Sequence, residues 1–404
     1  MPVSLRTKVP SFLRFGVVLA LGALSLSSGA TPGDPPAATQ GASAATAQSA
    51  SPAAAQSAGP VTASTGEPAV GVVDLHVDVP WQVNDKGRDP LLLEGHASAA
   101  NLTAGQYVGI VFPIYLSDKL HDGDGPRIED AETMLGTIQK IIRTAGVFVP
   151  PGQAAEPGKI TGFVSIEGAG AFAVDITKID AFIDRGVRVI GPVHQKDNRL
   201  STSATGDDRE KFGLTDTGKK FCERVYSRGA LIDVSHMSDK AFADLVPIAA
   251  KYGAPIVATH SNARAVADQS RNLTDAQLRK IAETGGVAGL NFHSHFVNGK
   301  PKSTMDDLVK QAEHMIKVAG VDHVAIGSDF DGGIKPPTGL DDASKMPALA
   351  TALKKRGMSH GDVLKVFSLN ALRVLGWRPA TMVQAQIDAA KAADDARMKA
   401  FLGK

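Results

Sequence analysis

Eight short apolar runs, rich in β-branched residues, recur along this chain at 70–77, 107–114, 160–166, 187–193, 230–235, 255–259, 286–292 and 323–327. Between most of them lie longer stretches with apolar residues at helical spacing, as at 128–144, 215–228, 238–251, 274–284 and 305–319. This alternation restricts the fold more than any other feature. A strand that is apolar along its whole length needs cover on both faces, which is the situation of a parallel strand with crossover helices. Eight such units over roughly 300 residues suit a closed (α/β)8 barrel of the TIM type. Periodicity alone leaves an open doubly wound sheet as the alternative. Two more helical stretches, 342–356 and 360–375, follow the eighth run, so extra C-terminal helices are expected.

The flanks read differently. Arg6, Lys8 and Arg14, an apolar stretch from Phe15 to Leu26 and the small residues Ser28-Gly29-Ala30 predict a cleaved secretory signal over 1–30. Its apolar part falls short of the ~20 residues a membrane span needs. Residues 31–67 are Ala, Ser, Thr, Gln, Gly and Pro with no period, a disordered linker that cannot bury a core. The folded domain is expected over 68–380. A helical tail rich in Ala, Asp and Lys follows over 381–404, without the apolar end of a lipid-attachment signal. The lone cysteine, Cys222, excludes an intramolecular disulfide and a thiolate zinc cluster. A signal peptide without disulfides favours a bacterial periplasm, or secretion. A net charge of +1 gives no reason to expect a nucleic-acid partner. No stable membrane span is expected after cleavage, and a homodimer is left open.

In a barrel of this kind, chemistry collects at the C-terminal ends of the strands. The first run ends Asp74-Leu75-His76-Val77-Asp78. Residues two apart on a strand share a face, so His76 and Asp78 can reach one ion together. The third run ends in Glu167, the fourth in His194, the fifth in His236 and the sixth in His260; the eighth leads to Asp329 and Asp331. Singly, each can be a hydrogen-bonded structural group. Six of eight strands carrying such groups at one end form a pattern. His96, His121, His314 and His360 fall in loops or helices, and His323 opens the eighth strand at the opposite end. His293 and His295 follow the seventh strand and stay undecided. Imidazoles mixed with carboxylates suit zinc. The set exceeds what one tetrahedral site needs, and two zinc ions sharing a carboxylate use it better. Such ions lower the pKa of a shared water toward ~7, giving a nucleophile without serine or cysteine.

From about Gly71 to Trp377 the chain also resembles the membrane (renal) dipeptidase family. The stretches DLHVDVPW, SIEGAGAF, GVRVIGPVH, IDVSHMSDKAF, APIVATHSNARAV, RNLTDAQLRKIAETGGVAGLNF, VDHVAIGSDFDG and GLDDASKMPAL come in family order. The resemblance implies a zinc-dependent dipeptidase of the metal-dependent hydrolase superfamily. It implies that His76 and Asp78 bind one zinc, that His236 and His260 bind the second, and that Glu167 bridges both. It assigns Asp329 to the proton of the bridging water and His194 to the substrate carbonyl. Arg271 would hold the substrate carboxylate; its alternative is an ion pair with Asp268 or Asp275. Mammalian-type members carry tyrosine where this chain has His293, so His293 is expected in the substrate pocket with an altered preference. The stretch between Asn198 and Phe212 matches less closely and is expected to form a loop over the site.

Dipeptides are thus the expected substrates. The same centre can serve another amide, a lactone or a β-lactam. A barrel without catalysis, acting as a periplasmic binding protein, is the more distant reading. An aldolase-type barrel would want lysine at a strand end, and none stands there.

Overall fold

A computed structural model describes residues 69–153, 156–378 and Met382. The expected signal segment, the linker and, apart from Met382, the tail lie outside the described residues. Among the described residues nine strands form one sheet: β1 (Val72–Asp74), β2 (Tyr107–Tyr115), β3 (Phe148–Val149), β4 (Ile160–Glu167), β5 (Val187–Gly191), β6 (Leu231–Ile232), β7 (Val257–Ala258), β8 (Val287–Leu290) and β9 (Val324–Ile326). Every pairing is parallel. The hydrogen-bonded order is β6-β5-β4-β2-β1-β9-β8-β7, with β3 attached only to β4. The two ends of this path meet. A parallel bridge joins Asp233 to Val257, and the Val234 amide donates to the Val257 carbonyl at 2.8 Å. The sheet therefore closes into an eight-stranded barrel, and the open-sheet alternative falls. β3 was not among the eight runs, because two residues carry no period.

Alternation along the strands divides the core in two. Val73, Val111, Val189, Leu231, Val257, Val287 and Ala325, one from each of seven strands, form one cluster. Their chain neighbours, such as Val72, Ile110, Ile190, Ile232 and Ile326, join a larger cluster with the helices. Successive side chains on a strand face opposite ways, so the first set fills the barrel and the second lies under the helical layer. Each Val or Leu so buried contributes roughly 1.5–3 kcal/mol. Ala371, Val374 and Leu375 of the last helix, Asn370–Leu375, belong to the interior set. Arg188 of β5 donates to the carbonyls of Leu375 at 3.2 Å and Trp377 at 2.8 Å, so this helix stops the barrel where the strands begin.

The helices begin where a side chain can satisfy their free amides. Thr215, Ser238, Thr274 and Thr304 each accept an amide of the first turn, opening helices Asp216–Ser227, Asp239–Tyr252, Asp275–Glu283 and Met305–Ala319. These follow the helical periods closely. The stretch 360–375 differs: a π turn at Lys365–Leu369 separates His360–Leu364 from the last helix. No helix among the described residues is long and apolar enough to cross a membrane.

Candidate metal centre

Two buried aspartates shape the mouth of the barrel. Asp74 Oδ1 accepts the amides of His76 at 3.1 Å and Ser328 at 2.9 Å, tying the exit of β1 to that of β9. Asp233 Oδ1 repeats the device, accepting the amides of Ser235 at 2.9 Å and Thr259 at 3.0 Å, and so ties the exit of β6 to that of β7. The strand-end reading missed both. Their signal was an aspartate two or three residues ahead of the histidine, in Asp74-Leu75-His76 and Asp233-Val234-Ser235-His236. Gly168, just after Glu167, has φ +85°, and a Cβ there would come within 3.0 Å of the Leu116 carbonyl and 3.3 Å of His194 Cβ. Glycine thus lets the chain turn tightly behind the glutamate.

Glu167 stands at the centre of what these turns bring together. Its Oε1 lies 2.9 Å from His236 Nε2 and 3.5 Å from His260 Nε2; the two Nε2 atoms are 3.0 Å apart. Its Oε2 faces the other way, 3.6 Å from His76 Nε2, which is 3.3 Å from Asp78 Oδ2. His194 Nε2 stands further out, 3.9 Å from Oε1. Three sets of ligand atoms converge: His76 with Glu167 and His260, Glu167 with His194 and His236, and His76 with Asp78 and Asp329. In a tetrahedral zinc shell with bonds of about 2.0–2.1 Å, neighbouring ligand atoms lie roughly 3.3 Å apart. The spacings here are of that size.

The electrostatics also suit a cation. Burial, then the Arg271 guanidinium, hold His236 well below the usual histidine range; burial and the nearby His76 do the same for His260. Both shifts favour the neutral imidazole, the form a ligand must have. Burial disfavours charge on His76 too, but the Asp78 and Glu167 carboxylates outweigh it and lift His76 well above that range. This half of the site calls for positive charge, a demand that a metal ion meets as well as a proton does. His76 Nδ1, His236 Nδ1 and Asp78 Oδ2 are buried without a hydrogen-bond partner. The residues present fit a metal centre.

The remaining candidates surround it. Asp329 takes the Asn291 amide on Oδ2 at 3.0 Å, and burial with the Asp78 charge pushes its carboxyl well above the usual carboxylate range. Arg271 is buried, with Nη2 on His236 Nε2 at 3.1 Å and its guanidinium 5.5 Å from the centre of the Phe296 ring. Neither Asp268 nor Asp275 holds it; Asp275 is bound to His314 at 2.7 Å. His293 packs edge-on against the same Phe296 ring, 4.9 Å between centroids, and its Nδ1 accepts the Lys335 amide at 3.3 Å. His295 is exposed. His96, His121 and His323 are engaged with Asp331, Asp130 and the Gly286 carbonyl. The stretch from Asn198 to Phe212 is a loop, as expected, but it is not loose. Residues 200–204 are buried, and Ser203 Oγ donates to the His194 carbonyl at 2.5 Å. Asp331 serves the scaffold, accepting the amides of His96 and Ala97, each at 3.0 Å, and the Arg88 guanidinium.

Known proteins resemble this chain in fold and in sequence. A metallo peptidase from Rhodobacter sphaeroides, whose crystal structure holds a phosphinate mimic of the dipeptide L-Ala-D-Ala, superimposes with a TM-score of 0.69 at 28% identity, over 76% of this chain and 98% of its own. Dipeptidase tcpJ of Claviceps purpurea is 27% identical over 312 residues, 73% of this chain and 72% of its own length. A Klebsiella pneumoniae protein described only as an uncharacterized protein in the pqqA 5′ region is 40% identical over 218 residues, 52% of this chain and 79% of its own. The family model for membrane dipeptidase, peptidase family M19, matches residues 68–390, and the chain belongs to that family.

Proposed function

We propose that this chain is a zinc-dependent dipeptidase that holds two zinc ions, one by His76 and Asp78 and one by His236 and His260, with Glu167 shared. The observation that carries the reading is the division of Glu167: one oxygen faces the His236–His260 side, the other the His76–Asp78 side. A carboxylate that engages two ligand sets at once is what a two-metal site requires. Bound zinc supplies an acidified water and polarises a carbonyl.

The chain's own groups do the rest. Asp329, whose carboxyl is held high by burial and Asp78, can take a proton from the attacking water and return it to the leaving amine. His194, beside Glu167, donates to the substrate carbonyl oxygen as negative charge develops on it. Arg271 presents a planar fork to a free carboxylate. His293 and Phe296 line the same side. A dipeptide meets that fork with the free C-terminal carboxylate one residue beyond its scissile bond, which a C-terminal amide lacks.

Residues 1–30 are read as a cleaved secretory signal, which would deliver the enzyme to the periplasm or outside the cell, and 31–67 as a linker. The test is a hydrolysis panel of dipeptides with L or D residues in the second position, their C-terminal amides and tripeptides, run with and without a chelator, on protein whose metal content has been measured. Free dipeptides alone should be cleaved, chelation should abolish turnover and zinc should restore it. Equal cleavage of amides and tripeptides would redirect the reading to a broader amidohydrolase; a folded, metal-free and inert protein would redirect it to a binding protein.

A further inference from the structure

Among the histidines around Glu167, His260 alone has its second ring nitrogen engaged by a side chain at hydrogen-bonding distance. Its Nδ1 lies 2.8 Å from Thr259 Oγ1, whereas the Nδ1 atoms of His76 and His236 are buried without a partner and that of His194 is 3.7 Å from Asp118. The Thr259 hydroxyl also lies 2.5 Å from Asp233 Oδ2. All three residues are buried.

The direction of each bond follows from proton counting. A hydroxyl has one proton to give. Here the shorter contact is to a carboxylate oxygen that can only accept, so Thr259 donates to Asp233. Its oxygen must then accept from His260, which fixes the proton on Nδ1. The lone pair is left on Nε2, the atom facing His236 and Glu167. A second hydroxyl braces the first: Ser235 Oγ donates to Asp233 Oδ1 at 2.6 Å and accepts the His260 amide at 3.1 Å. The His260 ring and backbone are thus both referred to Asp233, which stands across the barrel join on the β6 side.

We propose that Thr259, oriented by Asp233, is a positioning residue of the metal centre, and that it selects the His260 tautomer whose Nε2 can ligate a metal. The proposal rests on the reading of His260 as a ligand. The chemistry generalises, since partners of a ligating imidazole's second nitrogen typically change metal affinity by about 10–100-fold.

The test uses the full chain as wild type, Thr259→Val and Thr259→Ser. Valine has threonine's shape without the hydroxyl, and serine keeps the hydroxyl. The first readout is the ring nitrogen shifts of His260 in metal-free protein labelled with ¹⁵N-histidine, the signal assigned with His260→Gln. Wild type and Thr259→Ser should carry the proton on Nδ1; Thr259→Val should move toward the Nε2-protonated form. The second readout is zinc affinity by chelator competition, which should fall about 10–100-fold in Thr259→Val and stay close to wild type in Thr259→Ser. An Nε2-protonated His260 in the wild type overturns the relay, even if the valine variant fails to fold. A folded Thr259→Val with the wild-type tautomer and affinity overturns it too. If wild type shows the Nδ1 proton but binds no zinc, the metal reading fails while the hydrogen-bond relay stands, so the two failures are distinguishable.

Discussion

Arg271 Nη2 lies 3.1 Å from His236 Nε2, placing a fixed positive charge against an imidazole that also touches Glu167. The guanidinium is buried, and among the described residues no aspartate or glutamate lies within ion-pair distance of it. A substrate carboxylate would supply that partner. In Arg271→Met, KM for dipeptides should rise and the preference for free dipeptides over their C-terminal amides should shrink. Losing a buried charge pair of this kind costs ~2–5 kcal/mol. Steady-state kinetics on matched acids and amides measure it; an unchanged preference would remove Arg271 from carboxylate recognition.

Glu167→Gln keeps the shape of the side chain and discards its charge. A neutral amide cannot offset two divalent ions, so the variant should lose at least one metal per chain and most of its activity. Elemental analysis alongside turnover decides the matter. Two metals retained with full turnover would mean that Glu167 does not join the two halves.

Asp329→Asn should fold and load metal, since the ion on this side is assigned to His76, Asp78 and Glu167, with Asp329 in the same cluster but left for proton transfer. Its kcat should drop by ~10²–10⁴, the usual contribution of a positioned acid–base group. Near-normal kcat with normal metal content would exclude it from proton transfer.

Asp331, two residues on, should behave in the opposite way. Truncation in Asp331→Ala strips the amides of His96 and Ala97 and the Arg88 guanidinium of their acceptor. Removing one partner of a buried pair typically costs ~3–5 kcal/mol. Urea unfolding should show a loss of that size, while the folded fraction keeps its metal. A stability change below ~1 kcal/mol would mean that water replaces the carboxylate easily.

Asp329 and Asp331 also mark how far the sequence can be read. Both lie in Ser328-Asp329-Phe330-Asp331-Gly332, and both have positive φ, +64° and +67°. Strand-end logic finds the pair but does not tell that one turns to Asn291 and the other to Arg88, because that is decided by loops distant in sequence. The ends of β1, β4, β5, β6, β7 and β9 were legible because a parallel barrel sends every C-terminus to one face. Asp74, Asp233 and Asn291 were not, since their work is to accept or donate across neighbouring strands. Thr259 looked like an ordinary β-branched strand residue. The break at Lys365–Leu369 left no trace in the apolar period either.

The closure between β6 and β7 has a mechanical consequence. Each of these strands is two residues long, and a single bridge at Asp233–Val257 joins them. His236 follows one strand and His260 the other, with their Nε2 atoms 3.0 Å apart. An ion gripped by both would act as a clasp on the barrel's thinnest hoop segment, and stripping it would loosen that segment before any other. Ligand linkage sets the scale: at a thousandfold excess over Kd, binding adds ~4 kcal/mol to the folded state. Hydrogen exchange should then accelerate on chelation at the Val234 amide, which crosses the closure, and change little along β2 and β4, whose seven-residue register is continuous. Removing the metal from this enzyme would thus unfasten its scaffold at one place as well as silence its chemistry.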